Sequence, residues 1–259
     1  MSLPSAIHLG LCLLIGFATA GCYVEAPSVA PEVMSARLVE LLTDADPSMR
    51  RTAAEALGKI GRRSARSRLV LALNDPDPRV RGASAIALGR LGDAEGGPAL
   101  VELLSDPVGA VREAAALALS EIEPAAASEA QILAKLRTPN VHGRVAASRA
   151  LLGLESVSFS DNLAAALRDV DPTVRQGLAA VMGETGDVRA IPYLLSLLKT
   201  DVHAGVRSEA AFRLGKVGDQ EVVADLLKVA EKDSDFVVRG WTRWALQQIR
   251  QSHEYGSKN

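Results

Sequence analysis

The chain repeats one pattern at intervals of 31 or 32 residues, and this period limits its fold more than any other feature of the 259 residues. An arginine recurs in each of seven copies: Arg50, Arg81, Arg112, Arg144, Arg175, Arg207 and Arg239. The residues six positions earlier are Asp44, Asp75, Asp106, Thr138, Asp169, Asp201 and Asp233. Seven positions after every arginine stands leucine or methionine. The sequence therefore predicts seven copies of one structural unit.

Each copy contains two helical patterns. The first is short and leucine-rich, as in RLVELLTD, and the second carries an apolar stripe, which in the first copy is Met49, Ala53, Leu57 and Ile60. Asp-Pro pairs at 46–47, 77–78 and 171–172 predict where second helices begin, because Asp accepts free N–H groups and Pro needs no acceptor there. Glycines predict left-handed caps at their ends: Gly61, Gly92, Gly186 and Gly218.

The repeat predicts an all-α fold, an α-solenoid of about seven two-helix repeats over residues 35–250. A helix pair of this length cannot bury both apolar faces alone, so the copies must stack. Aromatic residues make up only 3% of the chain, and small residues such as Ala53, Ala115, Ala147 and Ala210 suit close contacts between helices. Stacking places a row of aspartates beside the row of arginines, which predicts a structural ladder without a catalytic role. We call the seven arginines and the six aspartates the Asp–Arg ladder.

Two blocks, LTDADPSMRRTAAEALGKIG and LNDPDPRVRGASAIALGRLGD, resemble the HEAT-repeat family in its bacterial short form, the phycobilisome-lyase HEAT-like repeats. The resemblance covers residues 35–250 and is weak for function, since such repeats occur in lyases, hydroxylases, DNA glycosylases and scaffolds. It implies that the second helices line a concave surface. On the face of these helices turned away from the buried stripe, we predict four partner-binding residues: Ile86, Leu117, Phe212 and Trp244. Alternatively, Trp241 and Trp244 cover the open end of the last repeat, with Phe212 against them.

Catalytic chemistry finds little support in the sequence. HEAT-type deoxyhypusine hydroxylases carry His-Glu pairs as iron ligands, whereas the one such pair here is His253-Glu254, in a polar tail at 251–259. We therefore predict no catalytic residue, no metal site and no cofactor. The net charge of −2 argues against a nucleic-acid partner. A local basic cluster (Arg62, Arg63, Arg66 and Arg68) occurs in one copy and favours a solvated outer face.

The amino terminus predicts where the protein is located in the cell. Residues 9–20 form an apolar run of about a dozen residues, too short for a bilayer, and Thr19-Ala20-Gly21-Cys22 resembles a bacterial lipobox. The resemblance implies a signal peptide at 1–21, lipid attachment at Cys22 and a tether at 22–34. Tyr23, in place of the Asp that signals inner-membrane retention, implies the outer membrane, facing the periplasm. Initiation at Met34 would instead give a cytoplasmic protein.

The predicted function is a non-catalytic protein–protein interaction scaffold, lipid-anchored in the bacterial cell envelope. The alternative, tied to initiation at Met34, is a cytosolic accessory enzyme or chaperone of the bilin-lyase type. The fourth copy departs from the pattern at Thr138, at Gly143 where valine is the consensus, and at Glu155 where glycine is expected. These departures predict that the weakest joint of the array lies near residues 138–162.

Overall fold

The computed structural model describes residues 31–122, 126–154 and 157–256, and in these residues every regular element is helical. Fourteen α-helices form seven pairs within this part of the chain. The first helices of the pairs are α1 (Pro31–Leu41), α3 (Arg66–Ala72), α5 (Gly97–Leu103), α7 (Ala126–Lys135), α9 (Asp161–Ala166), α11 (Ile191–Thr200) and α13 (Val223–Lys232). The second helices are α2 (Pro47–Ile60), α4 (Pro78–Leu91), α6 (Gly109–Glu121), α8 (Val141–Gly153), α10 (Pro172–Glu184), α12 (Ala204–Val217) and α14 (Phe236–Gly256). The predicted α-solenoid is confirmed.

The helical region begins and ends outside residues 35–250. Helix α1 starts at Pro31, within the predicted tether, and α14 runs on to Gly256, within the predicted tail. The predicted signal peptide and Cys22 lie outside the described residues. No helix in the described ranges combines the length and apolarity needed to cross a bilayer.

The Asp-Pro pairs begin second helices as predicted. The side chains of Asp46 and Asp77 each accept the backbone N–H two residues later, and Asp171 accepts those of Thr173 and Val174. In each helix proline occupies the first turn, where its missing N–H costs nothing.

Three of the four predicted glycine caps are left-handed, and the fourth prediction is wrong. Gly61, Gly92 and Gly186 have φ values of 72°, 63° and 64°, which glycine adopts without steric cost. Gly218 is extended, with φ −72° and ψ 155°. Glycine is needed there for space, because a Cβ would lie 2.4 Å from the carbonyl oxygen of Leu214.

The second helices form the tightly packed layer of the solenoid. A Cβ built on Gly58 would lie 2.7 Å from Cα of Ala87, and one built on Gly89 would lie 2.7 Å from Cα of Ala118. First helices of neighbouring pairs contact one another less, and among them α5 and α7 share the most contact. The second helices therefore form the closely packed row of the array, which the resemblance to HEAT repeats implies is its inner, concave side.

The apolar stripe of the first pair is covered only in its middle. Ala53 and Leu57 are fully buried, but Met49 and Ile60 are 43% and 38% exposed, so the prediction that the whole stripe is buried is wrong in this copy. The corresponding residues of the second pair, Val80 and Leu91, are buried. Within the described residues the first pair has a neighbour on one side only, and the ends of its stripe have no cover there.

Candidate protein-binding surface

In the described residues, the ladder joins a pair to the next one at five of the six joints. Nε and Nη2 of Arg175 donate to the two carboxylate oxygens of Asp201 at 2.6 and 2.9 Å, and Arg50, Arg81, Arg144 and Arg207 bind Asp75, Asp106, Asp169 and Asp233 in the same way. Nη1 of each ladder arginine donates to two carbonyl oxygens of its own turn, which for Arg175 belong to Asp169 and Val170. Each of these five paired guanidiniums therefore links the turn of its own copy to the turn of the following copy.

The pairing lowers the pKa of several ladder carboxyls. Hydrogen bonds from Arg50 lower the pKa of Asp75 by more than burial raises it. Burial alone would raise the pKa of Asp201, but the bonds from Arg175 and from the His203 amide outweigh it and leave the pKa below its usual value. Charge-assisted bonds to ionised carboxylates favour the charged form. These groups are thus held as ion pairs, which suits a structural role.

An aromatic cluster, formed by Phe212, Trp241 and Trp244, bridges α12 and α14. Phe212 stacks on Trp244 with ring centroids 5.1 Å apart and meets Trp241 edge-on at 5.1 Å, and the two tryptophans are 5.7 Å apart. Trp241 is 40% exposed, whereas Phe212 and Trp244 are half-buried. Both tryptophans contact Phe212 of α12. A separate groove between α13 and α14 is lined by Leu227, Ala230, Glu231, Arg243, Leu246, Gln247, Arg250 and Gln251.

Two cations lie beside Phe212 of the aromatic cluster. Nζ of Lys216 lies 5.0 Å from the centroid of the Phe212 ring, and the Arg213 guanidinium lies 5.1 Å from it. Arg213 is itself buried, and its guanidinium binds Glu184 and Glu209. No repeat position of the sequence marks Arg213 as functional, although it stands where neighbouring copies have Val181 and Ala245.

A second apolar region lies three pairs away, in a groove of about 550 Å³ between α2, α4 and α6. Half-buried Ile86 lines it together with small side chains such as Ala83 and Ala114. The charged side chains around it are four cations, Arg51, Lys59, Arg79 and Arg90, and one carboxylate, Glu55. We call this the N-terminal groove. Its local charge is positive although the whole chain is slightly acidic.

The four predicted partner-binding residues fall into separate places. Phe212 and Trp244 are in direct contact, Ile86 lines the N-terminal groove, and Leu117 lies between these regions on α6 with 54% of its surface exposed. All four are on second helices, at the same position of their copies, so they share the inner face. The four residues therefore lie along an extended, interrupted surface and do not form one compact patch.

The histidines and the basic cluster lie at separate places in the described residues. His203 lies with Nδ1 3.2 Å from Nη2 of Arg175, beside the ladder, and His142 is exposed near the start of α8. Arg66 of the basic cluster pairs with Asp93 and Glu95 of the next copy. In that same part of the chain, no group of three or more His, Cys, Asp or Glu side chains is arranged to hold a metal ion.

The repeat geometry agrees with a known family. The family model for HEAT repeats matches residues 35–120, 66–153, 129–213 and 160–247. The chain belongs to the HEAT-repeat family. No curated protein sequence matches it.

Solved structures of HEAT-like proteins share the fold. The archaeal HEAT-like repeats protein of Thermococcus onnurineus NA1 is 15% identical, with 84% of this chain and 97% of that one covered and a TM-score of 0.53. Escherichia coli YibA is 20% identical over 85% of both chains, with a TM-score of 0.53. The CpcE–CpcF complex of phycocyanin lyase from Nostoc sp. PCC7120 is 22% identical over 92% of this chain and 93% of that one, with a TM-score of 0.45. Such likeness shows the fold alone.

Proposed function

We propose that this HEAT-repeat chain is a non-catalytic scaffold that binds another protein on the inner face formed by its second helices. The aromatic cluster at α12 and α14 carries the proposal. It gathers both tryptophans of a chain that has only 3% aromatic residues, it leaves Trp241 40% exposed, and Lys216 and Arg213 lie over its Phe212 ring. Partly exposed tryptophan with a polar surround is the composition of an interaction hot spot. Binding other proteins is also what HEAT repeats commonly do.

The charges at the N-terminal groove indicate the chemistry of the partner. Its apolar lining suits a leucine-sized side chain, and its rim carries four cations against one carboxylate. Lys59 and Arg90 are exposed, and no carboxylate of the described residues pairs with either. A segment with apolar side chains flanked by Asp or Glu is complementary to this groove. We expect the partner to present such a segment.

Photo-crosslinking tests which layer of the solenoid meets the partner. A photoreactive amino acid replaces Leu117 on inner helix α6 or, as the matched control, Leu71 on outer helix α3; these leucines are 54% and 64% exposed. We expect one adduct of defined mass from position 117 in living cells and none from position 71. An adduct that forms only at position 71 would place the partner on the outer layer and contradict the proposal.

A second experiment tests the aromatic cluster. Trp241→Ser removes a 40% exposed aromatic side chain that contacts Phe212, and Tyr193→Ser removes a 39% exposed one that contacts Phe159 on the other layer. Partner affinity should fall about tenfold or more for Trp241→Ser, the usual cost of losing a hot-spot residue. Tyr193→Ser should leave the affinity unchanged. Equal losses in the two variants would assign the cluster to folding stability alone.

The second part of the proposal is that the protein is located at the outer membrane, facing the periplasm. It rests on the apolar run that ends in Thr19-Ala20-Gly21-Cys22. The intact mass of the native protein should correspond to a diacylated chain that begins at Cys22, and Cys22→Ser should leave the protein unprocessed or release it from the membrane fraction. A native chain that begins at Met34 would instead favour the cytosolic alternative.

A further inference from the structure

One joint of the ladder differs from the other five. In the five regular joints the aspartate accepts two hydrogen bonds from the arginine of the preceding copy, at 2.6–3.0 Å. The same carboxylate also accepts the backbone N–H two residues later, for example Asp171 N–H at Asp169 and Asp235 N–H at Asp233. Each regular joint thus gathers three donors around one carboxylate.

The joint between the third and fourth pairs has no such carboxylate, because Thr138 replaces the aspartate. Nη1 of Arg112 still donates to the carbonyl oxygens of Asp106 and Pro107, at 2.6 and 3.0 Å, so this guanidinium is fixed to its own turn like the others. Within the described residues, its Nε and Nη2 donate no hydrogen bond, and both of its bonds come from Nη1. The Thr138 hydroxyl donates to the carbonyl oxygen of Lys135, at 3.0 Å, and is directed into its own helix end.

A cavity of about 160 Å³ lies beside this arginine, between α6 and α8. It is lined by Gly109, Arg112, Glu113, Ala116, His142, Val145, Ala146 and Arg149. A Cβ built on Gly109 would lie 3.5 Å from Nη2 of Arg112, which places the unpaired edge of the guanidinium at this cavity. The volume is about five times the ~30 Å³ that one water occupies in the liquid, so a carboxylate group fits.

The charges around the cavity favour a monoanion. Arg112 and Arg149 contribute two cations, and Glu113, whose carboxylate lies 3.3 Å from Arg149, contributes one anion. A dianion such as phosphate would meet the Glu113 carboxylate at close range. The five regular joints show that the Nε–Nη2 edge of this repeat's arginine binds a carboxylate with both oxygens.

We propose that the interrupted ladder joint at Arg112 is a binding site for one carboxylate, supplied by an Asp or Glu side chain of the partner protein. The incoming carboxylate binds the Nε–Nη2 edge of Arg112 with both oxygens, as the ladder aspartates bind the arginines of the regular joints. The source of the carboxylate rests on the proposed scaffold function, whereas the site itself does not.

The site is tested on the full-length protein with sodium acetate as the probe, followed by ¹⁵N NMR of arginine Nε–H groups. As acetate is added, the Arg112 signal should shift until it saturates. This shift should exceed the one that sodium chloride causes at equal ionic strength. Arg207, whose edge is filled by Asp233, is the internal control and should not shift. Thr138→Asp should weaken acetate binding about tenfold or more, because it supplies the missing carboxylate within the chain.

Two results would overturn the proposal. Arg112 could respond to acetate no more than Arg207 does, or it could respond to sodium phosphate and not to acetate, which would reject the carboxylate assignment. Both comparisons use the wild-type protein and need no partner. A failure here therefore leaves the scaffold proposal standing, and a failure of the crosslinking experiment leaves the acetate result standing.

Discussion

Gly215 lies directly against the indole ring of Trp244. A Cβ built on this glycine would be 2.5 Å from Cζ3 of Trp244 and 2.9 Å from Cα of Ala245, closer than non-bonded atoms approach. The glycine therefore sets both the spacing of α12 and α14 and the position of Trp244 under Phe212. The aromatic cluster depends on a residue with no side chain.

Gly215→Ala should lower the free energy of unfolding by about 1–3 kcal/mol, the usual cost of overpacking a close helix contact. Gly240→Ala in α14 is the matched control, because a Cβ there has no neighbour within 4 Å. That variant should be neutral or gain up to about 1 kcal/mol from its better helix propensity. Urea unfolding of both variants measures the difference. Equal stabilities would show that the contact at Trp244 adapts without cost.

Asp201→Asn should lower the free energy of unfolding by about 1–3 kcal/mol, because the amide N–H₂ replaces one acceptor and leaves the Arg175 guanidinium partly unpaired. The Asp201 side chain is 5% exposed. Glu40→Gln, in a pair with Arg37 that is 66% exposed at Glu40, is the control and should change stability by less than about 0.5 kcal/mol. Thermal melts compare the two. A large effect of Glu40→Gln would mean that burial does not distinguish these pairs.

Lowering the pH should destabilise the solenoid, in part because the ladder aspartates become protonated. The pKa values of Asp75, Asp106, Asp201 and Asp233 are lowered in the folded chain, so the unfolded chain binds more protons at acid pH. Their contribution to stability is complete above the usual aspartate pKa of about 4 and is lost as the pH falls through the lower, folded values. Urea midpoints measured from neutral pH down to about pH 3 follow this loss. Asp201→Asn should show a shallower decline than the wild type, and an identical decline would contradict the assignment.

The joints on either side of α8 should open first. Arg112 has no ladder carboxylate, and α8 shares less contact with α6 and α10 than second helices share at the other joints of the described residues. Backbone amides at 138–154 and 157–162 should therefore exchange with solvent faster than those of α12, where the ladder and the aromatic cluster both act. Thr138→Asp should slow this exchange. The idea fails if residues 138–154 are among the best protected of the chain.

Much of the fold was predictable because each copy carries its own local signals. Asp-Pro pairs fix where second helices begin, the leucine stripe fixes which face is buried, and a period of 31 or 32 residues requires stacking. The left-handed caps at Gly61, Gly92 and Gly186 followed from the same local reasoning. The prediction failed at Gly218, where space beside the Leu214 carbonyl, and not backbone conformation, requires glycine.

The sequence by itself determined that aspartates and arginines run in parallel rows, that the chain folds as an α-solenoid, and that Ile86, Leu117, Phe212 and Trp244 share one helix face. Only the tertiary structure decided the partners within those rows. Arg175 binds Asp201, 26 residues ahead, and contacts the turn of Asp169, six residues behind, through carbonyl oxygens alone. It likewise decided that Phe212 meets Trp244 while Ile86 lies in a distant groove. The physical reason is that these contacts depend on the offset between stacked pairs, which is set by where small residues such as Gly58, Gly89 and Gly215 let one helix approach the next.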